Sequence, residues 1–377
     1  MCNHLSSGRL LFTLIAISCI CMPFAQAGKP DKPGGGGGGN GGGGNNTVSY
    51  EIVQLDSIEG AAYDLNEAGE AVGYSGGQPL YWQVTDGDSV SVIGQSLSLG
   101  STDTTGGIAT AINDNGFICG IVYQENSQTA VVWPSVISDP IVLSPDSGAL
   151  GVNNNGIVVG AVGYNAAAWH VASDGTVVGP VLLGGSGAAL SINDSNLAVG
   201  HDAFPGRQAV AWLLDWDGTS LSVVTQWPVI DPSGLDNSMA RSVNEAGDIV
   251  GELQVAGDYP EAFYVNAALE PQALPSLVDN RKQYTHNEPA RDINNASPPQ
   301  VLGYALVLDR KYGGQQSGSG WVIWQGDSVL SLKEALASSL PRPQYLDALN
   351  DSGWIVGSAA FTYPSEGIYY PIVMVTR

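Results

Sequence analysis

Three histidines lie beyond the N-terminal segment, His170, His201 and His286, and no two are neighbours in sequence. The chain has no His-Glu-x-x-His pair and no Walker phosphate loop. Isolated histidines of this kind read as structural or surface residues rather than ligands. A second candidate chemistry is calcium. The strings "NDNG" from Asn113, "NNNG" from Asn153 and "DLNEAGE" from Asp64 put oxygen-bearing side chains in tight turns. A calcium loop needs several carboxylates and a closing glutamate, and most of these turns hold one carboxylate or none. A hairpin turn explains all of them without metal, so no cofactor is expected, with calcium as the less favoured alternative.

The third candidate is cationic. Between Lys32 and Arg207 there is no Lys or Arg, although the net charge is −23. Every basic residue of the folded part falls from Arg207 onward. Arg207, Arg281, Lys282, Arg310 and Lys311 lie in long irregular stretches with Tyr284 and Tyr312, and Arg241 and Arg291 stand in alanine-led strands. Irregular loops on a rigid scaffold are where binding residues concentrate. These nine residues are the candidate binding set, for an anionic partner. The acidic balance argues against nucleic acid, which wants a basic footprint.

The elements that position them come from repetition. "LNEAGEAVG" begins at Leu65, "INDNGFICG" at Ile112, "VNNNGIVVG" at Val152, "INDSNLAVG" at Ile192, "VNEAGDIVG" at Val243 and "LNDSGWIVG" at Leu349. "INNASPPQVLG" at Ile293 is a further copy with two extra residues. The anchors are Asn66, Asn113, Asn153, Asn193, Asn244, Asn294 and Asn350, spaced by 47, 40, 40, 51, 50 and 56 residues. Periods near 40–50 point to propeller blades.

Alanine sits four residues before six of the anchors, and Leu346 before the last. An aliphatic residue sits directly before each. Asn at the first turn position with Gly at the fourth fits a type I turn closed by a left-handed residue. Gly69, Gly116, Gly156, Gly247 and Gly353 hold that fourth place, and Asn196, the best substitute for glycine there, holds it in one copy. A second glycine follows seven residues after most anchors, as at Gly73 and Gly200. Glycine in a strand marks close approach of another backbone. A third strand then ends in an aromatic, Trp82, Trp133, Trp169, Trp212, Tyr264 or Trp324, and a fourth strand follows a short turn.

The expected fold is therefore all-β, a seven-bladed β-propeller with four-stranded blades. The last repeat lacks a fourth strand, and residues 48–56 form a spare one before the first anchor, so the N-terminal strand is expected to close the ring. A β-solenoid is the rival. Residues 48–377 are read as a single propeller domain of seven repeats. Residues 1–27 read as a Sec-type signal peptide, an apolar stretch with a small-residue cleavage site ending at Ala27. A lipoprotein reading at Cys19 is weaker. Residues 28–47 are a glycine-rich disordered tether. Only Cys119 lies outside the leader, in an apolar strand, so no internal disulfide is expected.

The units "SINDSNLAVGHDAFPGRQAVAWL" and "SVNEAGDIVGELQVAGDYPEAFYV" resemble the HAF repeats of bacterial extracellular proteins. The name-giving His-Ala-Phe triplet is degenerate; only Ala262 and Phe263 keep its last two residues. The resemblance implies export and repeat architecture, and supplies no catalytic residues. The preferred function is a secreted or periplasmic, cell-surface binding module, non-enzymatic and monomeric, whose partner is an extracellular glycan or protein. One alternative is a propeller glycosidase or polysaccharide lyase using Arg281, Tyr284 and His286. Another is a purely structural surface protein.

Overall fold

Asn153 uses every polar group it owns. In the computed structural model its main-chain N–H donates to the Ile157 carbonyl at 3.1 Å, and its Oδ1 accepts the N–H groups of Asn155 and Ile157 at 3.1 and 2.9 Å. Its carbonyl accepts the Gly156 N–H at 3.2 Å. Its Nδ2 donates to the carbonyl of Asn193, the next anchor, at 3.0 Å. The same bond joins Asn66 to Asn113, Asn113 to Asn153, Asn193 to Asn244, Asn244 to Asn294, Asn294 to Asn350, and Asn350 back to Asn66, at 2.8–3.2 Å. The seven bonds form one circuit, and the anchors are only 3–7% exposed. Aspartate has no donor for that circuit, and serine lacks the reach to serve both sides.

The fourth turn residue has φ of 75–87° at Gly69, Gly116, Gly156, Gly247 and Gly353, and 61° at Asn196. At Gly156 a Cβ would also stand 2.6 Å from the Val171 carbonyl oxygen. The copy at Asn294 spans its two extra residues by accepting the Gln300 N–H at 2.7 Å.

The structure describes residues 48–377 except 102, 203–206, 230–236, 255–259, 279–282, 310–314, 337–340 and 362–367. The leader 1–27, with Cys19, and the tether 28–47 lie outside the described residues. Ser49–Arg377 forms one compact unit. It is all-β, a propeller-like arrangement of small antiparallel sheets. After β1 (Tyr50–Gln54), the first sheet holds β2 (Gly60–Leu65), β3 (Glu70–Ser75), β4 (Gln78–Thr85) and β5 (Ser91–Ser96). The second holds β6 (Thr104–Ile112), β7 (Ile118–Gln124), β8 (Ser127–Trp133) and β9 (Ile141–Pro145). A seven-stranded sheet follows: β10 (Ser147–Val152), β11 (Ile157–Val162), β12 (Asn165–Val171), β13 (Val177–Ile192), β14 (Leu197–Asp202), β15 (Gln208–Trp216) and β16 (Leu221–Pro228). Next come β17 (Ser238–Val243), β18 (Ile249–Gln254), β19 (Pro260–Val265) and the two-residue β20 (Pro271–Gln272). Then β21 (Gln283–Ile293), β22 (Gln300–Asp309), β23 (Gln315–Gln325) and β24 (Ser328–Ser331) form a sheet. The last sheet orders β25 (Arg342–Leu349), β26 (Ile355–Ala360) and β27 (Tyr370–Thr376) against β1.

The sequence suggests seven separate four-stranded sheets; five are separate. The third and fourth repeats share the seven-stranded sheet because β13 runs through both. Its first part pairs with β12 from Val177 to Ser186, and its second with β14 from Gly187 to Ile192. Gly184, Gly185 and Gly187 let one strand serve both partners with no connecting loop. The spare N-terminal strand pairs antiparallel with β27, Tyr50 opposite Thr376 and Gln54 opposite Ile372.

Packing explains the small residues. The alanine four before an anchor faces the strand glycine, as Ala189 faces Gly200. A Cβ at Gly200 would stand 2.0 Å from the Ala188 carbonyl oxygen. Space kept narrow there lets the third-strand aromatics fill the gaps between repeats. Trp133 packs on Val72 and Tyr81 of the preceding repeat, and Trp82 on Val356 and Val373 of the last. Trp82, Trp133, Trp169 and Trp212 are fully buried, and truncating such a side chain typically costs about 3–5 kcal/mol.

Two outcomes test this architecture. Asn153→Asp replaces the Nδ2 donor by an oxygen facing the Asn193 carbonyl, and should destabilise by at least about 1–3 kcal/mol in chemical denaturation; an unchanged midpoint would exclude the circuit as a stabilising element. Deleting residues 48–56 uncovers the β27 edge and removes buried Tyr50 and Leu55. The truncated protein should melt well below the parent in calorimetry, and equal melting temperatures would show that β1 is dispensable.

Candidate functional site

The innermost strand of each repeat carries a one-residue bulge three positions before its anchor. The register skips Tyr63, Thr110, Leu150, Leu190, Arg241, Arg291 and Asp347. A bulge re-aims a side chain, and all seven line one cavity of about 320 Å³. The position before it is Ala in six repeats and Leu in one, and the position after it is always short, whereas this one ranges from Thr to Tyr and Arg in five residue types. The bulge thus separates residues that build the scaffold from residues that shape its interior.

At the turn end, the residue after each anchor forms a rim. Its carboxylates are Glu67, Asp114, Asp194, Glu245 and Asp351. The rim is bonded in sequence: the Glu67 N–H donates to Asp114 at 3.2 Å, Asn154 to Asp194 at 2.7 Å, Glu245 to Asn295 at 2.7 Å, and Asp351 to Glu67 at 2.6 Å. Burial pushes Glu67 and Glu245 above the usual carboxylate range, and neighbouring carboxylates add to the shift. The turn-end mouth is therefore strongly acidic.

Deeper in the wall, Asp64 accepts the N–H groups of Leu65 and Ile112, both at 2.9 Å, and so ties the first repeat to the second. Asp292 accepts the Ser242 hydroxyl at 2.6 Å and the Leu349 N–H at 2.8 Å, tying three repeats. Both touch the cavity but are otherwise enclosed by protein. Burial pushes Asp64 up to about 8 against the lowering effect of its amide bonds, and raises Asp292 likewise.

A cationic group adjoins this wall. Arg207 and Arg241 share Glu252, with N–O distances of 3.0 and 3.2 Å. The Arg207 side chain is 21% exposed, and those of Arg241 and Glu252 are 7% and 8% exposed. Burial pushes the Glu252 carboxyl up, but the two guanidiniums outweigh it and hold it below its ordinary value. Asp347 is pushed up to about 7 by burial, opposed by Arg291 and Arg241. His201 is lowered to about 4, first by burial and then by Arg207 and Arg241. It is a neutral ring at physiological pH.

Of the nine candidate binding residues, the structure brings Arg207, Arg241 and Arg291 together. They do not share an exposed rim, as the loop reading expects: Arg241 and Arg291 face the cavity, because the bulge turns them inward. Arg281, Lys282, Arg310, Lys311 and Tyr312 lie outside the described residues. Tyr284 and His286 fall in β21, where only their backbone is described, so the Arg281–Tyr284–His286 grouping has no described side chain. His170 is buried and stacks on Trp216 at 3.7 Å between ring centroids. Cys119 is fully buried, and burial pushes its thiol up to about 12. The string Gly73–Gly77 matches Gly-x-Ser-x-Gly, yet Ser75 is 4% exposed at a hairpin end and donates to the Ile58 carbonyl. It is not on the strand-to-helix turn such a nucleophile requires. Among the described residues no group of three or more His, Cys, Asp or Glu is arranged to hold a metal ion, and no helix is long and apolar enough to cross a membrane.

Glu252 and His201, each eight residues after an anchor, carry no motif in the sequence. The signal was in the repeat itself, at the places where aligned copies disagree.

No protein-family model matches the sequence, and no characterised protein sequence matches it. Among solved structures the chain is similar to a streptogramin B lyase, at 11% identity over 88% of this chain and 98% of that one, with a TM-score of 0.47. It is also similar to Hsv2 of Kluyveromyces lactis, at 10% identity over 84% and 99%, TM-score 0.46. A third is the BP39L lectin of Burkholderia pseudomallei, at 12% identity over 84% and 96%, TM-score 0.40. At these scores the likeness carries no argument about ligand or activity.

The raised Asp64 carboxyl has a measurable consequence. Its folded pKa of about 8 lies above the unfolded value of about 3.9, so the stability it contributes is full below the unfolded value and is lost as pH rises through about 8. Asp64→Asn should therefore shrink the loss of melting temperature between mildly acidic and alkaline buffer. A variant that loses as much as the parent would show that Asp64 is already ionised in the folded protein.

Proposed function

We propose that the protein is an exported, seven-bladed β-propeller, closed by β1, that works as a non-enzymatic binding module for an anionic partner outside the cell. Support for seven blades comes from the seven anchors in one circuit and from the pairing of β1 with β27. In this reading the seven-stranded sheet is two blades fused through β13. The leader-like residues 1–27 and the HAF resemblance favour export.

The observation that carries the binding reading is the convergence of Arg207, Arg241 and Arg291 from the fourth, fifth and sixth repeats of an otherwise acidic molecule. Guanidinium groups pair with carboxylate, sulfate or phosphate through parallel hydrogen bonds. Two of the three have Glu252 as an internal counter-charge, which keeps them oriented while no ligand is bound. The acidic rim repels anions at the turn end, so the partner approaches from the end where Arg207 is partly exposed. The negative body around this sector orients the encounter.

Affinity for dextran sulfate should fall steeply with added salt, because exposed charge pairs are screened over about 8 Å at physiological ionic strength. Arg207→Ala should weaken it about tenfold, an effect of about 1.4 kcal/mol. Titration calorimetry at two salt concentrations checks both. Tight binding of neutral dextran, unchanged in Arg207→Ala, would refute the reading.

A further inference from the structure

Three repeats in succession around the anchor circuit carry paired aromatic side chains. In the sixth, Tyr304 meets Trp321 edge-on, with centroids 5.4 Å apart. The Trp321 indole N–H donates to the Gln344 carbonyl of the seventh repeat at 3.3 Å. There Tyr345 meets Tyr369 edge-on at 5.7 Å. The Tyr369 carbonyl accepts the Gly60 N–H of the first repeat at 3.0 Å. Ala61 pairs with Tyr74, which stacks on Tyr63 at 5.8 Å. The result is an arc from Trp321 to Tyr63, continuous through main-chain contacts. Tyr63 also lines the cavity wall that holds Arg241 and Arg291.

Trp321 belongs to the buried core and Tyr304 packs on the same cluster, but the scaffold does not demand a ring at the other places. Tyr74 and Tyr304 directly follow the strand glycine, where other repeats hold Ala161, Ser358, His201 or Glu252. Tyr345 stands five before its anchor, where two other repeats manage with Ala188 and Gly148. Tyr74, Tyr304, Tyr345 and Tyr369 are only partly buried. Large rings in places that small residues fill elsewhere can serve recognition. The same position that carries Tyr74 and Tyr304 carries Glu252 and His201 beside the arginines, so the aromatic and cationic sectors are neighbours on one end.

We infer that the arc is a stacking platform for sugar rings, and that the ligand is an acidic carbohydrate chain. A pyranose ring offers a face of C–H groups, which suits the electron-rich face of an aromatic ring. A carboxylate on the same sugar suits a guanidinium. A uronic-acid oligosaccharide has both on one unit, which matches two adjacent sectors of different chemistry. This rests on the anionic reading above and adds that the anion is carried on sugar rings.

Calorimetry with the full chain would compare an oligogalacturonate, a polyacrylate of similar charge and a neutral dextran oligosaccharide. The parent should bind oligogalacturonate more tightly than polyacrylate and dextran weakly. Tyr74→Ala and Tyr345→Leu should each lose about tenfold for oligogalacturonate, a change of about 1.4 kcal/mol, with polyacrylate binding unchanged. Tyr74→Phe, which keeps the ring, should bind like the parent and guards against loss by misfolding. Equal binding of the two polyanions, or aromatic variants that bind oligogalacturonate like the parent, would overturn the sugar platform and leave the anionic reading intact. Failure to bind either polyanion would overturn both.

Discussion

The asparagine circuit is the constraint on which the rest of this structure depends. Each anchor side chain closes its own turn with Oδ1 and reaches the next turn with Nδ2. A single residue type thus fixes local conformation and the spacing between neighbours. Because the carbonyl it reaches belongs to another anchor, an error in one turn is felt by the adjacent one. A buried amide left unpaired costs about 1–3 kcal/mol, so no member can be changed without loss on both sides. That explains why asparagine holds all seven places while the residues within the turns drift.

Once the turns are pinned, the innermost strands have little freedom left, and the bulge decides what they display. Alanine before the bulge keeps the strand pair close, with glycine opposite. The bulged residue itself points inward and meets no such restriction. Residue type there varies from repeat to repeat, and one wall mixes Tyr63, Leu190, Arg291 and Asp347. Some frame work still intrudes: Asp64 and Asp292 line the cavity, yet their oxygens are occupied by amides of the next repeat.

Much of this was readable from the repeat. Spacing, the Asn-to-Gly turns, the strand glycines and the third-strand tryptophans are local signals, each tied to a backbone or packing demand within one unit. The pairing of residues 48–56 with the last strand followed from counting strands. Two things were not readable. The fusion of neighbouring sheets depends on whether Gly184–Gly187 bends or breaks a strand, and glycine permits either. The inward turn of Arg241 and Arg291 depends on a bulge, which leaves no mark on an alternating pattern of residues. The sequence placed them in strands, and the register turned them into the wall. Glu252, which orients two of the arginines, belongs to a different strand and had no reason to stand out.

The pairing of β1 with β27 has a kinetic meaning. Glu51 and Arg377, bonded at 2.8 Å, are 326 residues apart in the chain. Joining ends over such a span carries a loop-closure cost of roughly 5 kcal/mol by the logarithmic length rule, unless the intervening repeats have already folded and brought them close. Short-range contacts within the intervening repeats are what bring the two ends close. The β1–β27 ladder then joins two elements already held side by side.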